Sequence, residues 1–280
     1  SDNIKLNLIK ELSGFKRLSS KISFGKATIN SKEVKKGDIF FAIKGKKNDG
    51  NKFVGQSFKK KASVVIVNKF NKKYNINRQI KVKHTLNFLT ETAKIFRKNI
   101  NTNIIAITGS SGKTSLKELL GNSLKKISKA SISPRSYNNK YGVPLSLFNI
   151  NQNDNYGVLE VGMDKKGEID YLSKIIQPDV SVITNISYAH AKNFKSIRHI
   201  ALAKAEIIKN TKYNGTVVLN ADDNFFKLYK KISQNNKLKV ISFGIENEKS
   251  DIKLTSIKKE NVHFRINIKY KKLNKFFLIP

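Results

Sequence analysis

The spacing of apolar residues over the first 82 positions predicts a small α/β unit. Apolar stripes at helical spacing run through residues 4–12 and 51–62. Apolar runs at 38–43 and 63–67, the second of them β-branched, are typical of buried strands. Residues 68–79 are polar and rich in Lys and Asn, which predicts a surface loop.

From His84 onward, apolar strands alternate with amphipathic helices. The predicted strands are Ile104–Thr108, Tyr156–Val161, Val180–Thr184, Gly215–Asn220 and Lys239–Phe243. The predicted helices cover 86–96, 113–126, 167–176, 196–209 and 222–232. Such alternation predicts a mostly parallel sheet with helices on both faces, because each crossover between parallel strands needs a helix.

The end of the chain has a different pattern. Residues 251–279 contain β-like runs such as Val262–Ile266, which predict a small antiparallel β appendage. We therefore predict an α/β protein with a small N-terminal α/β domain at 1–83. A central domain of the P-loop type, with a mostly parallel sheet, is predicted to follow at 84–280.

Length and composition exclude several classes of protein. A chain of 280 residues fits about two domains. Cys is absent, which excludes disulfides, thiolate metal sites and cysteine nucleophiles. No stretch approaches the roughly 20 apolar residues of a membrane span, and the N-terminal residues lack the apolar segment of a secretory signal. We expect a cytoplasmic monomer without a membrane span.

The formal charge of +35 is large enough to attract nucleic acid. Only six of the 55 basic residues are Arg, however, and Lys, Asn and Ile, which have A/T-rich codons, are all abundant. The lysines are spread along the chain without a basic block or an aromatic-interleaved stripe. This distribution favours a bias in base composition, and we expect no specific nucleic-acid partner.

A glycine-bearing turn joins the predicted strand Ile104–Thr108 to the predicted helix at 113–126. Its sequence, Gly109-Ser110-Ser111-Gly112-Lys113-Thr114, has the short form of a phosphate-binding loop, although Ile107 stands where the longer pattern has its first glycine. Glycines let the backbone wrap an anion, and the helix N-terminus faces that anion. Lys113 would reach the outer phosphates of a nucleotide, and the Thr114 hydroxyl would coordinate Mg²⁺.

Ordered motifs extend from this loop over nearly the whole chain. They are Ile107–Ser115, Ser136-Tyr137-Asn138-Asn139, Gly142-Val143-Pro144-Leu145, Leu159-Glu160-Val161-Gly162, Gly167-Glu168-Ile169, Thr184-Asn185-Ile186, Ala189-His190, Ala203-Lys204-Ala205-Glu206-Ile207 and Asn220-Ala221-Asp222-Asp223. Together they resemble the Mur ligases. The Asn-Asn and Gly-Val-Pro-Leu pair looks like the MurF-type branch of that family, which joins D-Ala-D-Ala to UDP-N-acetylmuramoyl-tripeptide (UDP-MurNAc-tripeptide).

The resemblance implies an ATP-dependent ligase that works through an acyl phosphate. It implies ATP contacts from Gly109, Ser110, Ser111, Gly112, Lys113, Thr114 and Ser115. It implies catalytic roles for Lys113, Glu160, His190 and Lys204. It also implies Mg²⁺ ligands at Thr114, Glu160, His190 and a carbamylated Lys204. From the residues alone, Glu160 could be an ordinary strand-end carboxylate with a cap or salt-bridge role, and His190 a loop imidazole without a ligand. Composition alone favours one more solvated lysine at Lys204.

The N-terminal motifs Asn30-Ser31-Lys32, Gly37–Ala42 and Asp49–Phe53 also resemble the family, which implies that residues 1–83 form its UDP-substrate-binding domain. The substrate-binding residues implied by the resemblance are Ser31, Asn138 and Asn139. The two asparagines would also suit an ordinary turn. Near Ser31 the chain departs from the family, because Asn30-Ser31-Lys32 replaces Asp-Ser-Arg and Asp49-Gly50-Asn51 replaces Asp-Gly-His. These changes remove a forked Arg and a His from the N-terminal site.

The family pattern extends further than this chain does. It includes a later His-Asn motif and a third domain, neither of which is in the 280 residues. We therefore expect the chain to bind its substrates yet form almost no amide product by itself. A non-catalytic nucleotide- or nucleic-acid-binding remnant is the alternative function, and a folylpolyglutamate-type ligase is a weaker one because the N-terminal block has no place in that family.

Overall fold

The computed structural model describes residues 3–15, 24–45, 48–188 and 193–279. The chain forms two compact units, the first made of Ser1–Asn101 and Lys140–Asp154, the second of Thr102–Asn139 and Asn155–Pro280. The division predicted from the sequence, at residue 83, stays a prediction. The first unit includes the helix that follows His84, because the apolar face of that helix packs against other elements of this unit.

Helices and strands succeed one another along both units. The helices are α1 (Asn3–Ser13), α2 (Val54–Lys59), α3 (Thr85–Lys98), α4 (Lys113–Ile127), α5 (Gly142–Phe148), α6 (Glu168–Ile176), α7 (Ile197–Lys204), α8 (Glu206–Lys209) and α9 (Phe226–Asn235). The strands are β1 (Ala27–Thr28), β2 (Ile39–Phe41), β3 (Val64–Val67), β4 (Gln79–Lys81), β5 (Asn103–Thr108), β6 (Ala130–Ile132), β7 (Tyr156–Glu160), β8 (Val180–Ile183), β9 (Thr216–Asn220), β10 (Lys239–Gly244), β11 (Ile252–Glu260), β12 (His263–Tyr270) and β13 (Leu273–Ile279). Gly50–Phe53 and Ile76–Arg78 form short 3₁₀ helices.

The first unit contains a four-stranded parallel sheet in the order β1-β2-β3-β4. β2 and β3 are buried at every position, so their sequences are continuous apolar runs without alternation. Helix α5 was not predicted. All seven of its residues are buried, so its sequence carries no polar face that would reveal a helical period.

The second unit contains a nine-stranded sheet in the order β13-β12-β11-β10-β9-β8-β5-β7-β6. Every pairing from β6 to β11 is parallel, and the last two pairings are antiparallel. The predicted antiparallel appendage is therefore continuous with the main sheet, since β11 pairs in parallel with β10 through Phe243–Ile252 and Gly244–Lys253. Strand β6, with three half-buried residues, was too short to predict.

Two further predictions need correction. The predicted surface loop at 68–79 ends in ordered structure, because Gln79 begins β4 and its buried amide bonds the backbone of Asn71. The predicted helix at 196–209 is two helices, α7 and α8, which meet at Ala205. Tertiary packing decides both outcomes, and neither is encoded in local periodicity.

The strand order places the motifs of the second unit together. β5 lies between β8 and β7, so the carboxyl ends of these three parallel strands are neighbours. Ligands of open α/β sheets bind at this edge. Thr108, Glu160 and Ile183 end the three strands, which brings the segments that follow them to one place. No helix in the described part of the chain is long and apolar enough to cross a membrane.

Candidate functional site

The predicted phosphate loop connects β5 to α4 and lies at the carboxyl edge of the sheet, where β5 is flanked by β8 and β7. Gly112 precedes α4 with φ +76°, a backbone conformation that glycine adopts without the usual steric cost. Gly109 is required by a close approach, since a Cβ there would lie 1.8 Å from Thr184 Oγ1. The first N–H groups of α4 have no partner within the helix, so they point toward any anion that enters the loop.

The residues after β8 hold the loop in shape. Thr184 Oγ1 donates to the Ser111 carbonyl at 2.7 Å, and Asn185 Oδ1 accepts from the Ser111 backbone N–H at 3.1 Å. The Ser110 N–H donates to the Asn185 carbonyl, and the Ser110 hydroxyl donates to Ser187. Sequence reasoning assigned no role to Thr184 and Asn185, although their motif was visible, because only the β8-β5 pairing reveals that they contact the loop.

Two lysines converge on one carbonyl oxygen. Lys113 Nζ donates to the Gly109 carbonyl at 3.0 Å, and Lys204 Nζ donates to the same oxygen at 2.9 Å. Lys204 is 2% exposed. Burial, and secondarily the charge of Lys113, lowers the pKa of Lys204 from its ordinary 10.5 to about 7. A substantial share of this side chain is therefore a neutral amine near neutral pH.

A carboxylate next to the loop connects it with a second segment. Glu160, at the end of β7, is 1% exposed and accepts from Thr114 Oγ1 at 2.7 Å. Its other oxygen accepts from Asn138 Nδ2 at 2.8 Å. Asn138 is thus brought to Thr114 and Glu160, the pair predicted to bind a metal, while the metal-binding role of Glu160 stays a prediction.

The donor set around Glu160 fits a hard divalent cation. A hydroxyl and a carboxylate are oxygen ligands of the kind that Mg²⁺ prefers. In the described residues no group of three or more His, Asp or Glu side chains could hold a metal ion. His190, the other predicted ligand, lies outside the described residues. A carbamate on Lys204 would add a further oxygen ligand from α7.

The remaining predicted residues are placed as follows. Ser111 and Ser115 are exposed, Ser115 on the first turn of α4, and Asn139 is exposed after Asn138. Ser31, in the first unit, is buried, and its hydroxyl donates to Gln56 Oε1 at 2.6 Å. The substrate-binding roles of Ser31, Asn138 and Asn139 stay predictions.

Glu206, from the same motif as Lys204, has a structural contact. Its carboxylate accepts from the backbone N–H groups of Gly167 and Asp170, at the start of α6. A carboxylate at a helix N-terminus accepts hydrogen bonds from N–H groups that have no partner within the helix, and its negative charge interacts favourably with the positive end of the helix dipole. The motif therefore combines a candidate catalytic lysine with a cap that fixes the start of α6.

The first unit has a cavity at the carboxyl edge of its own sheet. About 300 Å³ of space opens at the carboxyl ends of β2, β3 and β4, lined by Lys44, Asn68, His84, Thr85, Leu86 and Asn87. Close by in sequence, Gly50 approaches the backbone so tightly that a Cβ would lie 2.6 Å from the Ile43 nitrogen. Hydrogen bonds from the side chain and backbone of Asn51 hold the pKa of Asp49 below its ordinary value.

Comparison with known families matches both units. The pattern described as the Mur ligase middle domain matches residues 107–278, which is more than half of the chain. The chain belongs to the Mur ligase family. A second pattern, described as the Mur ligase family catalytic domain, matches residues 26–97. The resemblance drawn from the sequence is thus confirmed, and the matched residues include the predicted phosphate loop between β5 and α4.

Named relatives of this Mur ligase chain come from several bacteria. The UDP-N-acetylmuramoyl-tripeptide–D-alanyl-D-alanine ligase of Buchnera aphidicola (subsp. Acyrthosiphon pisum) is 38% identical over 221 residues, covering 79% of this chain and 48% of that protein. The enzyme of the same name from Rickettsia prowazekii is 35% identical, covering 91% of this chain and 57% of that protein. The chain spans about half the length of the curated relatives it matches.

Solved structures give the same result for the fold. A crystal structure of MurF from Acinetobacter baumannii is 28% identical, with a TM-score of 0.81 over 98% of this chain and 60% of that one. MurF from Thermotoga maritima, solved in complex with ADP, is 29% identical, with a TM-score of 0.74 over 93% of this chain and 59% of that one. The α/β fold class predicted from the sequence is confirmed.

Proposed function

We propose that this chain carries the nucleotide and UDP-substrate sites of an ATP-dependent amide-bond ligase. The reaction joins D-Ala-D-Ala to UDP-MurNAc-tripeptide. The terminal carboxylate of the tripeptide attacks the γ-phosphorus of ATP, and ADP leaves. The dipeptide amine then attacks the acyl carbon of the acyl phosphate, loses a proton, and inorganic phosphate leaves.

The observation that carries this proposal is the convergence of Lys113, Lys204, Thr114 and Glu160 on one phosphate loop. Phosphoryl transfer needs little covalent chemistry from the protein and depends on positioned cations around the phosphates. Lys113 Nζ donates to the Gly109 carbonyl. A rotation of the lysine side chain would bring Nζ to a phosphate bound in the loop. The named relatives support the choice of substrates.

Thr114 and Glu160, with a carbamylated Lys204 and His190, would hold Mg²⁺, which neutralises charge on the phosphates when it is bound. The depressed pKa of Lys204 supports the carbamate, because only a neutral amine reacts with CO₂. Burial of the carbamate would in turn require a cation beside it. Thr114, whose hydroxyl now donates to Glu160, would then turn its oxygen toward the metal.

For the UDP-substrate, the cavity of about 300 Å³ at the carboxyl ends of β2–β4 supports a site in the first unit. Ser31 lies after β1, at the same edge of that sheet. Asn138 and Asn139 would contact the muramyl-peptide part. In this proposal the carboxyl edge of the first unit's sheet binds the UDP part of the substrate, and the carboxyl edge of the second unit's sheet binds ATP.

Titration calorimetry with ADP and Mg²⁺ tests the nucleotide site. A hydrogen bond to a charged group contributes about 1.5–3 kcal/mol, so Lys113→Ala should weaken ADP roughly 10- to 150-fold. The matched control is Lys125→Ala, an exposed lysine near the end of the same helix. Equal affinity of wild type and Lys113→Ala would contradict the proposed role of the loop.

A second titration tests the substrate. UDP-MurNAc-tripeptide should bind wild type and Lys113→Ala equally, because its uridine site lies in the first unit. No binding to the wild type would contradict the proposed substrate. A duplex-DNA affinity below 1 μM at physiological salt would favour the nucleic-acid alternative, since non-specific binding is typically about 10⁻⁴–10⁻⁶ M there.

A further inference from the structure

Lys117 is a fully buried lysine that the nucleotide site does not use directly. It lies on α4, one turn after Lys113 and Thr114, and is 0% exposed. A buried lysine is costly unless its donors are paired. Its burial therefore requires partners, and those partners indicate its role.

All three donors of the Lys117 ammonium are engaged. Nζ donates to the Ser133 carbonyl at 2.7 Å and to the Arg135 carbonyl, and it forms an ion pair with Glu118 at 3.0 Å. An ammonium has three hydrogens and no acceptor, so this set saturates it. Lys117 consequently has no donor left for a phosphate, and what it does is hold the backbone at 133 and 135.

The segment that Lys117 holds leads to Asn138. Pro134, Arg135 and Ser136 are exposed, and Arg135 has φ +47°, which is uncommon for a residue with a side chain. Such a conformation persists only where surrounding contacts determine it. The bond from Lys117 to the Arg135 carbonyl is such a contact, three residues before Asn138.

Further hydrogen bonds connect Asn138 back to α4 through Glu160, which makes the network circular. Asn138 donates to Glu160, which accepts from Thr114, and Thr114 and Lys117 share the first turns of α4. The Gly162 N–H donates to the Asn138 carbonyl at 2.8 Å. The helix that begins at the phosphate loop therefore reaches Glu160 twice, directly through Thr114 and indirectly through Lys117 and Asn138.

The same face of α4 is built for close contact with this segment. Gly121, one turn after Lys117, is buried, and a Cβ there would lie 2.5 Å from the side chain of Ile132. The missing side chain allows β6 to lie against the helix immediately before Ser133. Gly121 thus sets the distance at which the Lys117 ammonium reaches the two carbonyls.

We propose that Lys117 is a positioning residue that couples the phosphate loop to the segment 133–138 and so fixes Asn138 on Glu160. The consequence for ligand binding rests on the proposed function. Lys117 would set the Mg²⁺-dependent part of nucleotide affinity without touching the nucleotide. The bare contact network can be tested without any ligand.

Amide hydrogen exchange on the full chain tests the network itself. In Lys117→Met, protection of the Gly162 N–H should fall at least tenfold, because its acceptor is the Asn138 carbonyl. The neighbouring Val161 N–H, which donates to Ile107 within the sheet, should be unchanged. Lys125→Met is the matched control and should change neither amide. Equal loss at both positions in Lys117→Met would mean general destabilisation and would overturn the proposal, as would no loss at Gly162.

A double-mutant cycle tests the coupling to the site. ADP affinity is measured with and without Mg²⁺ for wild type, Lys117→Met, Asn138→Ala and the double variant. Each single substitution should reduce the Mg²⁺-dependent gain in affinity about tenfold, and the double variant should lose no more than either single one. Independent, multiplying losses would overturn the proposal. If the wild type does not bind ADP, the proposed function fails while the exchange experiment still decides the role of Lys117.

A wild-type measurement covers the case in which Lys117→Met does not fold. The ¹⁵Nζ signal of Lys117 should exchange slowly and show couplings through hydrogen bonds to the carbonyl carbons of residues 133 and 135. A rapidly exchanging ammonium signal without these couplings would overturn the proposal.

Discussion

Lys204 makes the stability of the second unit depend on pH in a way that can be calculated. Its pKa is about 7 in the folded chain and 10.5 in the unfolded reference, and the side chain is 2% exposed. Because the folded pKa is the lower one, the unfolded chain binds more protons between these two values. The contribution of Lys204 to the free energy of unfolding therefore increases as pH rises above 7, and it levels off near pH 10.5.

The expected size follows from the same two pKa values. Their difference corresponds to about 5 kcal/mol over the whole range. Between pH 6 and pH 9, where the folded lysine loses its proton and the unfolded one keeps it, linkage predicts a gain of about 2–3 kcal/mol. Other groups of this highly charged chain also titrate, so the effect must be measured as a difference from a variant without Lys204.

The assay is denaturant unfolding followed by circular dichroism at pH 6, 7, 8 and 9, in CO₂-free buffer. Wild type is compared with Lys204→Met, and Lys125→Met serves as an exposed control on α4. The free energy of unfolding of wild type, relative to Lys204→Met, should rise by about 2–3 kcal/mol across this range. The free energy of unfolding of Lys125→Met should change with pH as that of wild type does. A difference that stays constant within about 0.5 kcal/mol would refute the reasoning that burial deprotonates Lys204.

Three further outcomes are expected. With ¹³C-bicarbonate, wild type should show a carbamate carbon signal by NMR near pH 8 that Lys204→Met lacks; identical spectra would contradict carbamylation. Gly109→Ala should cost about 1–3 kcal/mol, because its Cβ would collide with Thr184, and should weaken ADP binding; unchanged unfolding and affinity would contradict the close approach. Phe277→Lys should reduce aggregation in light scattering and leave ADP affinity unchanged, since Phe277 is 53% exposed on β13, at the edge of the sheet; faster aggregation would contradict that interpretation of the edge.

Local patterns in the sequence were sufficient for most elements of the second unit. The alternation of apolar strands with amphipathic helices predicted β5, β7, β8, β9 and β10 together with α4, α6 and α9, because each depends on a periodicity contained in a few neighbouring residues. The candidate phosphate loop was also visible, since its glycines, Lys113 and Thr114 are close together in the chain. The family followed from the order of such motifs.

Elements without a visible period were missed. Helix α5 is buried on every side, and β6 has only three residues, so neither shows the contrast of polar and apolar positions on which prediction depends. The break between α7 and α8 at Ala205 was missed for a related reason, because a continuous helical pattern spans it.

Only the tertiary structure decided what the site residues touch. Lys204 and Gly109 are 95 positions apart, and composition alone favoured a solvated lysine at 204. The strand order β8-β5-β7 brings Asn185 to the loop and Glu160 to Thr114, and that order is a property of the whole sheet. Burial then changes the chemistry, because water that would solvate Lys204 and Lys117 is replaced by a few fixed carbonyl groups. A sequence pattern names the residue types, whereas desolvation and pairing depend on which distant segments the fold places around them.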